Sequence, residues 1–118
     1  MKINNICINC ILIILLFFLS SINSNQKTNG EILFNINCAQ CHAINIEIVG
    51  PALANISTRY KNRWILKYIK NARQLISDND TIAIALFEKY KIEHPIFENE
   101  LSDKEIREII EFIKIKSK

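Results

Sequence analysis

Cys38-Ala39-Gln40-Cys41-His42 is the segment whose residue types and spacing can do chemistry. Two thiols one helical turn apart can each add to a vinyl group of one porphyrin. The adjacent imidazole then reaches the iron from the same side. C-x-x-C-H is the covalent haem attachment pattern for this reason. The two links hold the group in a chain too small to enclose it by affinity alone. Other chemistries use parts of the segment. A redox C-x-x-C follows a strand in an α/β fold, and no strand is expected here. A zinc site needs a third and a fourth ligand beside the cysteine pair, and only His42 and His94 could supply them. A structural disulfide between Cys38 and Cys41 would not require a neighbouring His.

The rest of the inventory is short. The chain has 118 residues, four Cys, two His and one Met. That length allows one domain. The histidines are His42 and His94, and Met1 is the single methionine, so the folded body has no methionine to offer. Lys and Arg number 15 against 12 Asp and Glu, a formal charge of +3. The two signs alternate along the second half, without the basic patch of a nucleic-acid domain, so no nucleic-acid partner is expected.

Residues 1–24 read as a secretory signal. Lys2 is its only charge, an apolar run continues from Cys10 to Leu19, and Ser20, Ser21, Asn23 and Ser24 follow. That order is a charged start, a hydrophobic stretch and a cleavage region. The run is short for a membrane span of roughly 20 residues. The alternative is a retained N-terminal anchor, the one case in which membrane contact is expected. Cys7 and Cys10 leave with the signal. Residues 25–118 are then the mature domain, at the small end of what a hydrophobic core supports alone.

The elements that position the motif read as helices. Residues 28–40 form the first, with Thr28 and Glu31 spaced as a capping box and Ile32, Leu33 and Ile36 as a stripe widened by Phe34. Residues 43–57 hold no helical period, and Gly50-Pro51 marks a loop. A second helix runs over 62–71, with Trp64, Ile65, Tyr68 and Ile69 on one side, and 73–77 is a connection. A third covers about 80–90 behind Asp78 or Asp80. Residues 91–100 are a loop carrying His94 and Pro95. In the last helix Ser102 and Glu105 make a capping box, and Ile106, Ile109, Ile110 and Ile113 form the buried stripe.

With this order of elements, residues 28–115 resemble the class I cytochrome c family. The resemblance rests on the C-x-x-C-H motif, Gly30 and Phe34 with Phe112, Gly50-Pro51-Ala52-Leu53, Trp64, and Leu101-Ser102-Asp103. It implies an all-α fold of four or so short helices wrapped around one covalently attached haem c, with the N- and C-terminal helices crossing. It implies that the Pro51 carbonyl accepts a hydrogen bond from His42, which fixes the tautomer. The Trp64 indole is expected to reach a haem propionate, with Arg59 or Arg63 helping. The bland alternative makes Trp64 core and both arginines solvated.

One departure stands out. The family's sixth ligand is usually a methionine in a Met-Pro pair before the last helix, and here that pair is His94-Pro95. Bis-histidine coordination by His42 and His94 is the expectation. The alternatives are an open site or ligation by Lys89 or Lys91. A six-coordinate haem implies a single-electron carrier and no enzyme, at a potential below that of a His/Met relative. Its partners would be redox proteins of an exported or respiratory chain, in the periplasm or at the outer face of the inner membrane. Rival readings are a haem subunit of a larger respiratory enzyme, a ligand-binding sensor, or a small peroxidase. A peroxidase also wants a distal acid–base residue, and no further His remains for it.

Overall fold

The computed structural model describes residues 28–117. The expected signal segment, with Cys7 and Cys10, lies outside the described residues. Five helices follow one another: α1 (Asn29–Asn37), α2 (Ile56–Arg59), α3 (Asn62–Ser77), α4 (Thr81–Tyr90) and α5 (Asp103–Lys116). Among the described residues there is no strand, and no helix is long and apolar enough to cross a membrane.

α5 is the central beam. Ser102 accepts the Glu105 N–H, and the Glu105 side chain accepts the Ser102 N–H, so both halves of the expected capping box are made. Lys114 and Lys116 lie in the last turn, where the helix dipole favours positive charge. Ile106, Ile109, Ile110 and Ile113 are buried, as their spacing predicts. Phe34, Leu53, Ile65, Phe97, Leu101 and Phe112 pack around them in one core.

α1 crosses α5 at Gly30. A Cβ on Gly30 would run into the carbonyl oxygen of Glu108 and come within 3.2 Å of the Phe112 Cβ. Only a residue without a side chain lets the two backbones touch there. One turn on, the Phe34 ring packs against Phe112 with centroids 5.3 Å apart. The inner face of α1 is therefore Gly30 and Phe34. Ile32 and Ile36, expected in the buried stripe, are 44 % and 65 % exposed. Both pairs have the same spacing of four. The glycine decides between them, because only its side of the helix can approach α5.

α3 is longer than expected. Residues 73–77, read as a connection, are helical, and a break at Asn71 (φ −159°, ψ 83°) divides the helix in two. The Asn71 side chain accepts the Gln74 N–H at 3.1 Å and so caps the second half. Asn79 then takes left-handed angles (φ 60°). The Asp80 N–H bonds to the Leu75 carbonyl and the Asn79 N–H to that of Ile76, the paired closure of a Schellman end. Asp80 at once caps α4 by accepting the Ala83 N–H. The one-turn helix α2 was not foreseen; four residues are too few to show a period.

Gly30→Ala has to push the two helices apart, and overpacking of this kind costs about 1–3 kcal/mol or more. We expect a lower guanidinium midpoint for the holoprotein with its circular dichroism shape retained. An unchanged midpoint would show that the crossing is not close.

Candidate functional site

The attachment segment starts where α1 stops. Cys38 is the C-cap of α1, and its N–H still bonds to the Phe34 carbonyl. The chain then turns tightly: the Cys41 and His42 amides both donate to the Cys38 carbonyl, at 3.1 and 2.9 Å. One turn thus carries two half-buried cysteines and one half-buried histidine. Both cysteines are free, so the disulfide reading is not realised. Burial, with the neighbouring Cys41 adding to it, pushes the Cys38 thiol up to about 11.

The following loop folds back over this turn. The Gly50 N–H donates to the Cys41 carbonyl at 2.8 Å, and the Leu53 N–H to that of Ala43 at 3.1 Å. The fold-back puts the Pro51 carbonyl 2.9 Å from His42 Nδ1. A carbonyl can only accept, so Nδ1 carries the proton and Nε2 is the nitrogen left to bind. Gly50 lies flat against the same imidazole. A Cβ there would stand 2.5 Å from His42 Cε1 and 3.0 Å from Nδ1.

His94 is held in the same way. Its Nδ1 is 2.8 Å from the Pro95 carbonyl, which again leaves Nε2. Burial holds its pKa below the usual 6.5, offset in part by that hydrogen bond and helped by His42. The imidazole is therefore neutral at neutral pH, the form that ligates. Tyr68 and Phe97 meet it edge-on at 5.1 and 6.1 Å.

The two imidazole centroids are 6.3 Å apart. A metal–imidazole bond is about 2.0–2.1 Å, and a ring nitrogen lies about 1.1 Å from its centroid, so two imidazoles on opposite sides of one ion are about 6.2–6.4 Å apart. The residues present thus fit a haem iron taken between them. They fit zinc less well: among the described residues no three His, Cys, Asp or Glu converge as a metal site. Lys89 and Lys91, the other candidate ligands, are turned to carboxylates. Lys89 Nζ is 3.6 Å from Glu47, and Lys91 pairs with Glu88. Tyr90 first, then Glu47, raises the Lys89 pKa and keeps it protonated.

The supporting residues make the following contacts within the chain. Trp64 Nε1 donates to Asp80 Oδ2 at 3.0 Å. The reason is the Schellman end of α3, which carries Asp80 back to the indole. Arg59 Nη2 donates to the Ala52 and Ala54 carbonyls at 2.8 and 3.2 Å and so braces the loop behind Pro51. Arg63 is exposed. Sequence reasoning passed over Tyr60, which continues a row with Trp64 and Tyr68 at successive 5.0 Å spacings. Its signal was the i, i+4, i+8 recurrence of aromatics. It also passed over Asn71, whose signal was the Asn-x-x-Gln pattern of a cap inside an apparent helix.

The family model described as Cytochrome c matches residues 28–115. Among solved structures, cytochrome c from Rhodothermus marinus is 26% identical, with a TM-score of 0.68 over 75% of this chain and 74% of that one. The cytochrome c domain of a Pseudomonas putida protein is also 26% identical, with a TM-score of 0.63 over 75% of this chain and 87% of that one. An engineered Rhodothermus marinus cytochrome c bound to a carbene intermediate is 27% identical, with a TM-score of 0.62 over 75% and 74%. No curated protein matches the chain.

Gly50→Ala forces the His42 ring off its position. We expect a loss of about 1–3 kcal/mol in guanidinium unfolding of the holoprotein, as for other overpacked sites, together with an altered ferric absorption spectrum. Unchanged values of both would mean that the glycine does not set the ring.

Proposed function

Since the chain belongs to the cytochrome c family, whose members carry electrons and are not enzymes, we propose that it passes single electrons through one haem c. Cys38 and Cys41 hold the haem, and His42 and His94 ligate its iron. The bound haem supplies the Fe(III)/Fe(II) couple. The chain's own residues supply the rest. The Pro51 and Pro95 carbonyls orient the two imidazoles by accepting hydrogen bonds from their Nδ1–H groups, and the isoleucine core around α5 keeps water from the buried side. The observation that supports this most is the pair of imidazoles, tilted 43° to each other with centroids 6.3 Å apart, each with Nδ1 held by a proline carbonyl.

Two imidazoles favour ferric iron more than an imidazole and a thioether do, so the potential lies below that of a His/Met relative. Residues 1–24 act as the export signal, which places the domain in the periplasm or at the outer face of the inner membrane. Thioether attachment fits that location. Its partners are redox proteins of an exported or respiratory chain. The near-balanced surface charge leaves docking to the exposed haem edge rather than to strong steering.

His94 variants test the reading. We expect the loaded wild type to be six-coordinate and low-spin in both oxidation states. His94→Ala should give high-spin ferric iron that binds carbon monoxide readily once reduced. His94→Met should stay low-spin and rise in potential by on the order of 0.1 V, within the span that axial ligands cover. A spectrum unchanged by His94→Ala would remove His94 from the iron.

A further inference from the structure

In an unbroken helix the Gln74 N–H would bond to the carbonyl four residues earlier, that of Lys70. Here the Asn71 side chain takes that N–H, at 3.1 Å. The Lys70 carbonyl is released, and it accepts the Phe97 N–H at 3.0 Å. Asn71 Nδ2 meanwhile donates to Glu98 Oε2 at 3.3 Å. A single side chain therefore both breaks α3 and ties the broken point to residues 97 and 98. The side chain of Lys70 extends the tie to the start of α5, with Nζ 2.8 Å from Asp103.

Phe97 follows His94 by three residues, and Pro95 between them has a fixed φ. The Phe97 side chain is only 8 % exposed and belongs to the core. Upstream, Glu93 is held by Arg73 at 2.6 Å, again from the second half of α3. Both sides of His94 are thus referenced to the α3 break. If the helix ran straight through, the Lys70 carbonyl would return to Gln74 and Phe97 would lose its acceptor.

We infer that Asn71 is the positioning residue of the sixth ligand: by capping the second half of α3 it frees the Lys70 carbonyl to anchor Phe97, and so sets how readily His94 gives way to an incoming ligand. This rests on the reading of His94 as sixth ligand. Two variants separate the cap from the link to Glu98. Asn71→Ala removes both and favours the continuous helix. Asn71→Ser keeps an oxygen for the Gln74 N–H and loses only the link to Glu98.

Cyanide binding to the ferric holoprotein is the probe, with amide exchange of Phe97 as a second readout. We expect Asn71→Ala to bind cyanide about tenfold faster, the size of one lost hydrogen bond, and to expose the Phe97 amide to exchange. Asn71→Ser should stay within about twofold of wild type, with Phe97 protected. Equal rates in wild type and Asn71→Ala, or equal acceleration in both variants, overturns the inference. Should Asn71→Ala fail to fold, the wild type decides: a Phe97 amide exchanging as fast as that of exposed Asn99 overturns it, and a protected one with a slow Asn71→Ser supports it. His94→Ala runs beside them. If it leaves the ferric spectrum unchanged, the ligand reading itself fails; if it alters the spectrum while Asn71→Ala has no effect, only the positioning role fails.

Discussion

At Gly30 the backbone of α1 lies directly on the backbone of α5, with no space between them for a methyl group. Everything at the site is measured from that crossing. α1 is two and a half turns long and ends at Cys38, so fixing it at Gly30 and at the Phe34–Phe112 contact fixes the attachment turn. α5 begins at the Ser102 cap, directly after Leu101 and the segment that carries His94. The helix pair therefore holds the two ends of the site from one contact. The surrounding isoleucine core makes the crossing stable, and the glycine makes it close.

The two imidazoles reach the site by opposite routes and are held by the same device. His42 is placed by a turn locked to α1 and by a loop that folds back to offer the Pro51 carbonyl. His94 sits in a segment without helix or strand, and its orientation comes from the carbonyl of the next residue, Pro95. The first arrangement is stiff because four backbone hydrogen bonds and Gly50 surround it. The second depends on outside anchors, and these come from α3. A helix that stayed regular would have no carbonyl to give. The break at Asn71 turns one helix into a brace for the segment that carries His94.

Much of this was legible in the residues. C-x-x-C-H announced the attachment, and the Ser102–Glu105 box with its isoleucine period gave α5 almost to the residue. His94-Pro95 before Leu101-Ser102-Asp103, with no methionine beyond Met1, pointed to a second imidazole. What escaped was decided by packing. The outward turn of Ile32 and Ile36 depends on which face meets α5, and periodicity cannot distinguish two faces of equal spacing. The Trp64–Asp80 hydrogen bond depends on a chain reversal at Asn79 that brings residues 16 positions apart together. The α3 break was half visible: the helical period ends at Asn71, but the period alone does not show that Asn71 starts another helix.

The sharpest measurement is the low-temperature EPR spectrum of the oxidised, unmodified holoprotein. Two imidazoles on one iron require a wholly low-spin ferric signal with the pattern of axial nitrogen ligands, and no high-spin component. A dominant high-spin signal would mean that His94 does not reach the iron, and the geometry described for the pair would then have no role in binding the metal.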